Sequence, residues 1–279
     1  MSSKLTIAAV QFTAGPDWAS HAAEVERLVR AAAGAGAQFV ATPENTDGIV
    51  PVRLTVPLED DHPLLPDFSR LASGLGIWLL CGSVHVKTDA TATHHVNRSL
   101  LFAPDGSIAA RYDKIHLFDV DLPGGESHRE SASIQPGGAT QVADMGGVKL
   151  GFSICYDLRF ASLYRALALG GAEIIAVPSA FTVPTGEAHW EVLVRARAIE
   201  TGACVIAPAQ CGQHDGRRRT WGHSLIVDPW GRVLANAGPN PGIAIAMIDL
   251  EKVSETRRAL PSLKHERDFT PPVSPIAGN

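Results

Sequence analysis

Three reactive side chains stand out by their place in the apolar pattern. Glu44 lies just past an apolar run at 38–42, and Cys155 just past another at 148–154. Lys114 follows the second arm of a hairpin-like pair, 98–103 and 108–112, turned at Pro104-Asp105-Gly106. A thiol attacks as a thiolate, so it needs a base or a cation beside it. A carboxylate would supply the base, and an ammonium would hold the oxyanion that develops on an attacked carbonyl. A cysteine at a strand-to-helix turn would also offer the next backbone N–H, that of Tyr156, as an oxyanion donor. Singly, each has a plainer reading: a core thiol, a solvated loop acid, a hairpin-tip lysine. Ligands of α/β sheets bind beyond the carboxyl ends of strands. If the runs at 38–42 and 148–154 lie parallel, Glu44 and Cys155 meet at one sheet edge despite their distance in the chain.

The elements that must position them alternate. Strand-like runs occupy 6–12, 38–42, 77–81, 148–154, 173–177, 204–207 and 242–248. Helical spacing of apolar residues covers 18–33, 64–75, 159–169, 187–201 and 251–259. A late hairpin turns at Asp228-Pro229-Trp230-Gly231. This alternation predicts an α/β fold, and the hairpins predict mixed sheets. No linker or composition shift divides the chain, so residues 1–279 read as one domain, with a core of about 5–250 and a tail from 251 that becomes proline-rich. Residues 120–147 hold eight glycines and prolines and read as a long functional loop.

Composition removes several classes. Twenty-four basic residues face twenty-nine acidic ones, which gives no support to a nucleic-acid partner. No apolar run reaches the roughly 20 residues of a membrane span. The first residues enter a strand with no signal peptide before them, and four scattered cysteines, Cys81, Cys155, Cys204 and Cys211, suit a reducing cytoplasm. There is no Cys-x-x-Cys, and His94-His95 lacks a spaced partner, so neither a metal nor another cofactor is expected. Asn97-Arg98-Ser99 has the form of a glycosylation sequon but sits in a strand-like run.

The combination says more than its parts. Pro43-Glu44-Asn45, Tyr112-Asp113-Lys114-Ile115-His116 and Gly151-Phe152-Ser153-Ile154-Cys155-Tyr156-Asp157-Leu158-Arg159-Phe160 occur in this order, each beside a strand. Together they resemble the nitrilase superfamily of carbon–nitrogen hydrolases over nearly the whole chain. The resemblance implies a four-layer α-β-β-α sandwich, usually dimerised through helices, acting on a small-molecule amide. It implies Cys155 as nucleophile, Glu44 as general base and acid, Lys114 as oxyanion cation, and a second glutamate in the following loop. That role falls on Glu130, with Glu126 as the alternative.

The stretches 178–200, 209–212, 222–231 and 257–261 resemble the branch that contains deaminated glutathione amidases and ω-amidases. The resemblance implies cleavage of the 2-oxoglutaramyl–cysteinylglycine bond. Such a dianionic substrate would want cations, and Arg217, Arg218 and Arg219 lie in a loop that could gate its glycyl carboxylate. Thr182, Thr185 and Gly186 could hydrogen-bond the 2-oxo acid end. Asp157 and Arg159 read as a structural ion pair behind the nucleophile. Competing readings are an ω-amidase on 2-oxoglutaramate, an N-carbamoyl amine hydrolase, a nitrilase, and, from another class, a non-catalytic binding scaffold marked by slow, pH-indifferent alkylation of Cys155.

Overall fold

The computed structural model describes residues 3–50, 55–122, 125–214, 216 and 218–270. The first half runs β1 (Lys4–Gln11), α1 (Ala22–Gly34), β2 (Phe39–Ala41), α2 (Leu64–Leu75), β3 (Trp78–Val86), β4 (Val96–Phe102) and β5 (Ile108–Asp113). Next come β6 (Asp119–Asp121), β7 (Ser127–Arg129), β8 (Val142–Asp144), β9 (Lys149–Phe152), α3 (Ala161–Leu169), β10 (Ile174–Ala176), α4 (Val183–Thr201) and β11 (Cys204–Ala207). The chain closes with β12 (Cys211–Gln213), β13 (Arg219–Trp221), β14 (Leu225–Val227), β15 (Val233–Asn236), β16 (Gly242–Asp249) and α5 (Glu251–Ala259).

Two six-stranded mixed sheets result, in the orders β16-β1-β2-β3-β4-β5 and β15-β14-β11-β10-β9-β8. Period-two alternation decides what each strand faces. On β1, Ala8 and Val10 pack with Val25, Leu28, Val29, Leu64 and Phe68 of α1 and α2, on the outer side. Ile7 and Ala9 turn the other way, into a core shared with Leu150, Phe152 and Ile174 of the second sheet. Tyr112 of β5 meets Phe152 of β9 across that seam, with ring centroids 6.3 Å apart. Leu163, Tyr164 and Leu167 of α3 and Trp190, Val194 and Ala198 of α4 cover the second sheet. The layers are therefore α-β-β-α. Neither sheet can shed its apolar faces to water, so the helices and the facing sheet bury them.

Most elements stand where the periodicity predicts them. The helix at 187–201 begins earlier, at Val183, because Pro184 fits the first turn, where a missing N–H costs nothing. The predicted loop 120–147 is partly ordered instead: β6 and β7 form a hairpin, a 3-10 turn spans Glu130–Ala132, and β8 joins the second sheet. The arginine-bearing loop is likewise a hairpin, with β12 paired to β13.

Candidate active site

The reactive residues gather at one end of the sandwich, but not as the strand pattern suggests. Glu44 follows β2 of the first sheet, and Cys155 follows β9 of the second. They meet across the seam between two sheets, not along one sheet edge. The two turns line one common hollow.

Each turn is held in a strained form. Cys155 has φ +48° and Asn45, next to Glu44, has φ +56°. A non-glycine residue there costs about 1–3 kcal/mol and persists only where its surroundings fix it. At Cys155 the fixing bonds are its own N–H to the Pro178 carbonyl (2.9 Å) and the Ile154 N–H to Asp157 Oδ2 (2.8 Å). Cys155 opens a 3-10 turn, Cys155–Arg159. In that first turn the Tyr156 N–H has no intrahelical acceptor. At Glu44, Gln210 of the segment between β11 and β12 donates to the Glu44 carbonyl at 3.0 Å, while its Oε1 accepts the Ala14 N–H.

Lys114 arrives through an irregularity. The β4–β5 pairing shifts register between Leu101 and Phe102. Ile108, before the shift, packs on the outer core with Phe102, whereas Ala110 and Tyr112, after it, face the seam. Lys114 continues that inner row, and its N–H bonds the Asn97 carbonyl at 2.9 Å. A one-residue slip exchanges the two faces of a strand. The slip therefore puts the lysine inside.

The ammonium of Lys114 lies 2.8 Å from Glu44 Oε1 and 2.9 Å from both oxygens of Glu130. Glu130 also accepts the Phe118 N–H at 2.5 Å. The Lys114 and Glu44 side chains are only 2% and 3% exposed, so these charges are desolvated and must satisfy one another. Glu126 is turned to solvent and pairs with His128, so Glu130 is the second glutamate at the lysine. Asn97 also reaches the cluster: its Nδ2 lies 3.1 Å from Glu44 Oε1 and 3.4 Å from Glu130 Oε1.

Protonation follows from this packing. Burial works to raise the Glu44 carboxyl, but the Lys114 ammonium and the Cys155 thiol, which also bonds it, outweigh burial and hold it below the ordinary glutamate value. Burial opposes charge on Lys114, yet Glu130 and Glu44 hold it well above the usual lysine range. Burial, then the Glu44 carboxylate, push the Cys155 thiol far up, and Lys114 only partly offsets them. The cluster already carries two anions against one cation, and a thiolate would add a third. At rest the site therefore holds a thiol against a carboxylate, and the proton must leave as the sulfur attacks. A thiol held protonated in this way is expected to alkylate slowly whether or not it is a nucleophile, so slow alkylation alone would not mark a scaffold.

Asp157 and Arg159 do not pair. Asp157, fully buried, accepts from Tyr112 Oη (2.7 Å), the His116 N–H (3.0 Å), His116 Nδ1 (2.7 Å) and the Ile154 N–H (2.8 Å). It thereby ties the lysine-bearing segment to the cysteine turn. Arg159 instead lies over the Tyr156 and Phe181 rings, 5.9 and 5.7 Å from their centroids, and lines the cavity.

That cavity, about 450 Å³, is lined by Glu44, Lys114, Cys155 and Glu130 at its floor and by Arg159, Arg218, His85, His95, Thr182 and Thr185 on its walls. Thr182 and Thr185 share a hydroxyl–hydroxyl bond of 2.9 Å. Gly186 does not reach the cavity: a Cβ there would sit 2.3 Å from the Trp221 side chain, so the glycine serves close packing of α4 on β13. Arg219 is exposed on β13, outside the lining, and Arg217 lies outside the described residues. No group of three or more His, Cys, Asp or Glu side chains suited to a metal ion occurs among the described residues. Strand–turn logic located the acid, base and sulfur. It missed Asn97 and Gln210; the signal for Asn97 was its place opposite Lys114 in the hairpin.

A buried thiol with a carboxylate and an ammonium beside it, set at the seam of an α-β-β-α sandwich, is equipped for nucleophilic attack on an acyl carbon, and the family and relatives that follow make it a hydrolase of carbon–nitrogen bonds other than peptide bonds. Residues 6–258 match the carbon–nitrogen hydrolase family model, and the chain belongs to that family. Its relatives include the human deaminated glutathione amidase, 42% identical over 94% of this chain and 82% of that protein, and the Yersinia enterocolitica one, 40% identical over 94% and 92%. An omega-amidase of Xenopus laevis is 35% identical over 95% of this chain and 96% of that one. Among solved structures, the C. elegans NitFhit protein superposes with a TM-score of 0.87 at 34% identity, covering 95% of this chain and 66% of that one. A Nesterenkonia amidase superposes at 0.77 with 27% identity, covering 92% and 94%, and a mutant of it shows Michael addition of acrylamide at the active site cysteine. Among the described residues no helix is long and apolar enough to cross a membrane.

Proposed function

We propose that this chain is a thiol-dependent amidase whose preferred substrate is deaminated glutathione, cleaved to 2-oxoglutarate and Cys-Gly through a cysteine thioester. In this reading Glu44 takes the thiol proton as the Cys155 sulfur bonds the amide carbonyl carbon. Lys114 and the Tyr156 N–H hold the oxyanion; one such donor is worth roughly 10²–10³ in rate. The C–N bond breaks, Glu44 gives its proton to the departing nitrogen, and an acyl-sulfur bond remains. Glu44 then takes a proton from water, whose oxygen displaces the sulfur and returns it as thiol. Glu130 keeps Lys114 oriented. Modification of the active site cysteine in the Nesterenkonia amidase mutant supports the nucleophile.

The observation that carries the substrate is Arg218. Its Nε is buried and has no hydrogen-bond partner among the described residues, though the side chain lines the cavity. A guanidinium donor in a wall without a partner is suited to an anion that a bound ligand brings. A second carboxylate distinguishes deaminated glutathione from 2-oxoglutaramate, and the cavity of about 450 Å³ falls within the usual range of small-molecule sites. Comparing kcat/KM for the two substrates tests this. Arg218→Ala should raise KM for deaminated glutathione alone; an equal effect on both, or a tenfold preference for 2-oxoglutaramate, overturns the assignment.

Two further readings accompany it. None of the four cysteines is in a disulfide, which supports a reducing compartment such as the cytoplasm. Val192 and Ile199, one heptad apart on α4, are 69% and 53% exposed, which supports a homodimer formed through that helix.

A further inference from the structure

The carboxylates of Glu44 and Glu130 are bridged twice. Lys114 Nζ bonds Glu44 Oε1 and Glu130 Oε1, and Asn97 Nδ2 bonds the same two oxygens from the other side. The side-chain amide can be oriented in only one way here. Carboxylate oxygens accept and do not donate, so the atom between them must be the amide nitrogen. Its own oxygen, Asn97 Oδ1, is buried and has no partner among the described residues. A fold does not leave a buried amide oxygen unsatisfied for packing alone, since an apolar side chain of the same shape would avoid that cost. The amide is kept for its N–H groups.

This arrangement fixes the atom that handles the proton. Glu44 Oε1 already receives the Lys114 ammonium and the Asn97 amide, which fill the two lone pairs of that oxygen. Only Oε2 is left to face the Cys155 thiol, which lines the same cavity and interacts with the carboxylate. We propose that Asn97 is a positioning residue that, together with Lys114, occupies Oε1 of Glu44, so that Oε2 alone takes the proton from the Cys155 sulfur and returns it to the leaving amine. The inference rests on Glu44 as proton carrier and is independent of the substrate. In the first half-reaction the S–H bond breaks and an Oε2–H bond forms as sulfur bonds the carbonyl carbon. In the second the Oε2–H bond breaks and an N–H bond forms as the C–N bond parts. Throughout, the Asn97 N–H stays on Oε1, so the carboxyl cannot rotate to present a protonated oxygen to Lys114. The Asn97 backbone oxygen also accepts the Lys114 N–H, so one residue sets both the lysine and the acid.

The test is the acid arm of the pH profile. With its partners in place Glu44 is held below the ordinary glutamate range, so kcat/KM is expected to show no acid arm where a free glutamate would give one. Asn97→Asp keeps the shape, removes the donor and adds a like charge, both of which favour the protonated acid. It should lower kcat/KM by roughly 10²-fold and bring an acid arm up between about pH 5 and 6. Asn97→Ala should raise the same arm without the added charge, and serves if the aspartate variant does not fold. Ser99→Ala, on the same strand, loses only a bond to the Cys81 carbonyl and should leave the profile unmoved. Loss of activity in the Asn97 variants with no movement of the acid arm, or unchanged activity, overturns the proposal. Glu44→Gln, assayed alongside, separates the two failures. An active Glu44→Gln removes the proton carrier itself, whereas an inert one with an unmoved Asn97 arm removes only the part assigned to Asn97.

Discussion

Asp157→Asn probes how the two halves of the site are held together. The carboxylate takes two donors on each oxygen: Tyr112 Oη and the Ile154 N–H on Oδ2, and the His116 N–H and Nδ1 on Oδ1. Asparagine can accept on one side only. The Tyr112 hydroxyl can turn and accept, and the His116 ring can change tautomer, but a backbone N–H cannot. Whichever way the amide faces, one buried N–H, of Ile154 or of His116, loses its acceptor. Leaving such a group unsatisfied costs about 1–3 kcal/mol, and the loss of charge on the remaining bonds adds to it. For a chain of this length that corresponds to a fall of roughly 2–5 °C in Tm. The functional effect should be larger than the stability effect suggests, because Ile154 sets the Cys155 turn and His116 is two residues from Lys114. A shift of about 1 Å between sulfur and ammonium is expected to lower kcat by roughly 10- to 100-fold with little change in KM. Thermal unfolding followed by circular dichroism and steady-state kinetics at 25 °C measure both. A variant whose Tm moves by less than about 2 °C and whose kcat is unchanged would refute the view that Asp157 couples the lysine strand to the cysteine turn.

Gly82→Ala should act on Glu44 through the backbone: a Cβ at 82 would lie 2.0 Å from the Thr42 carbonyl oxygen and 2.3 Å from that of Pro43, so the acid must move and kcat should drop at least tenfold, with KM as the control. Sedimentation equilibrium should give the mass of a dimer, and Val192→Asp with Ile199→Lys should give that of a monomer at unchanged helicity; a monomeric unmodified protein removes the α4 interface.

The element plan was legible because it rests on local patterns. Short continuous apolar, β-branched runs gave β1, β10 and β11, and the i, i+3, i+4, i+7 spacing of Val25, Leu28, Val29 and Ala32 gave α1. Glu44, Lys114 and Cys155 were legible because each is a reactive side chain at a strand end within a motif whose residue order resembles a known family. Glu130 followed from the same motif order, and the structure brings it, not Glu126, to Lys114.

The strands, the helices and the residues at their ends are thus written in the chain locally, since side-chain size, branching and periodicity act within a few residues of one another. The tertiary structure alone decided how those ends meet. Glu44 and Cys155 lie on separate sheets because two apolar faces bury each other, an energy with no local sequence mark. Lys114 faces inward because of a one-residue slip in the β4–β5 pairing, which depends on packing between Phe102 and Ile108 on one side and Leu101 and Ala110 on the other. The same slip sets Asn97 beside Lys114, so a residue that reads in sequence as part of a plain strand becomes the amide between two acids. Arg159 left Asp157 for two aromatic rings because the turn aims the guanidinium outward while the carboxylate is enclosed by four donors. Desolvation belongs to that same level: only enclosure by the whole fold turns an ordinary acid, amine and thiol into groups that must settle their protons among themselves.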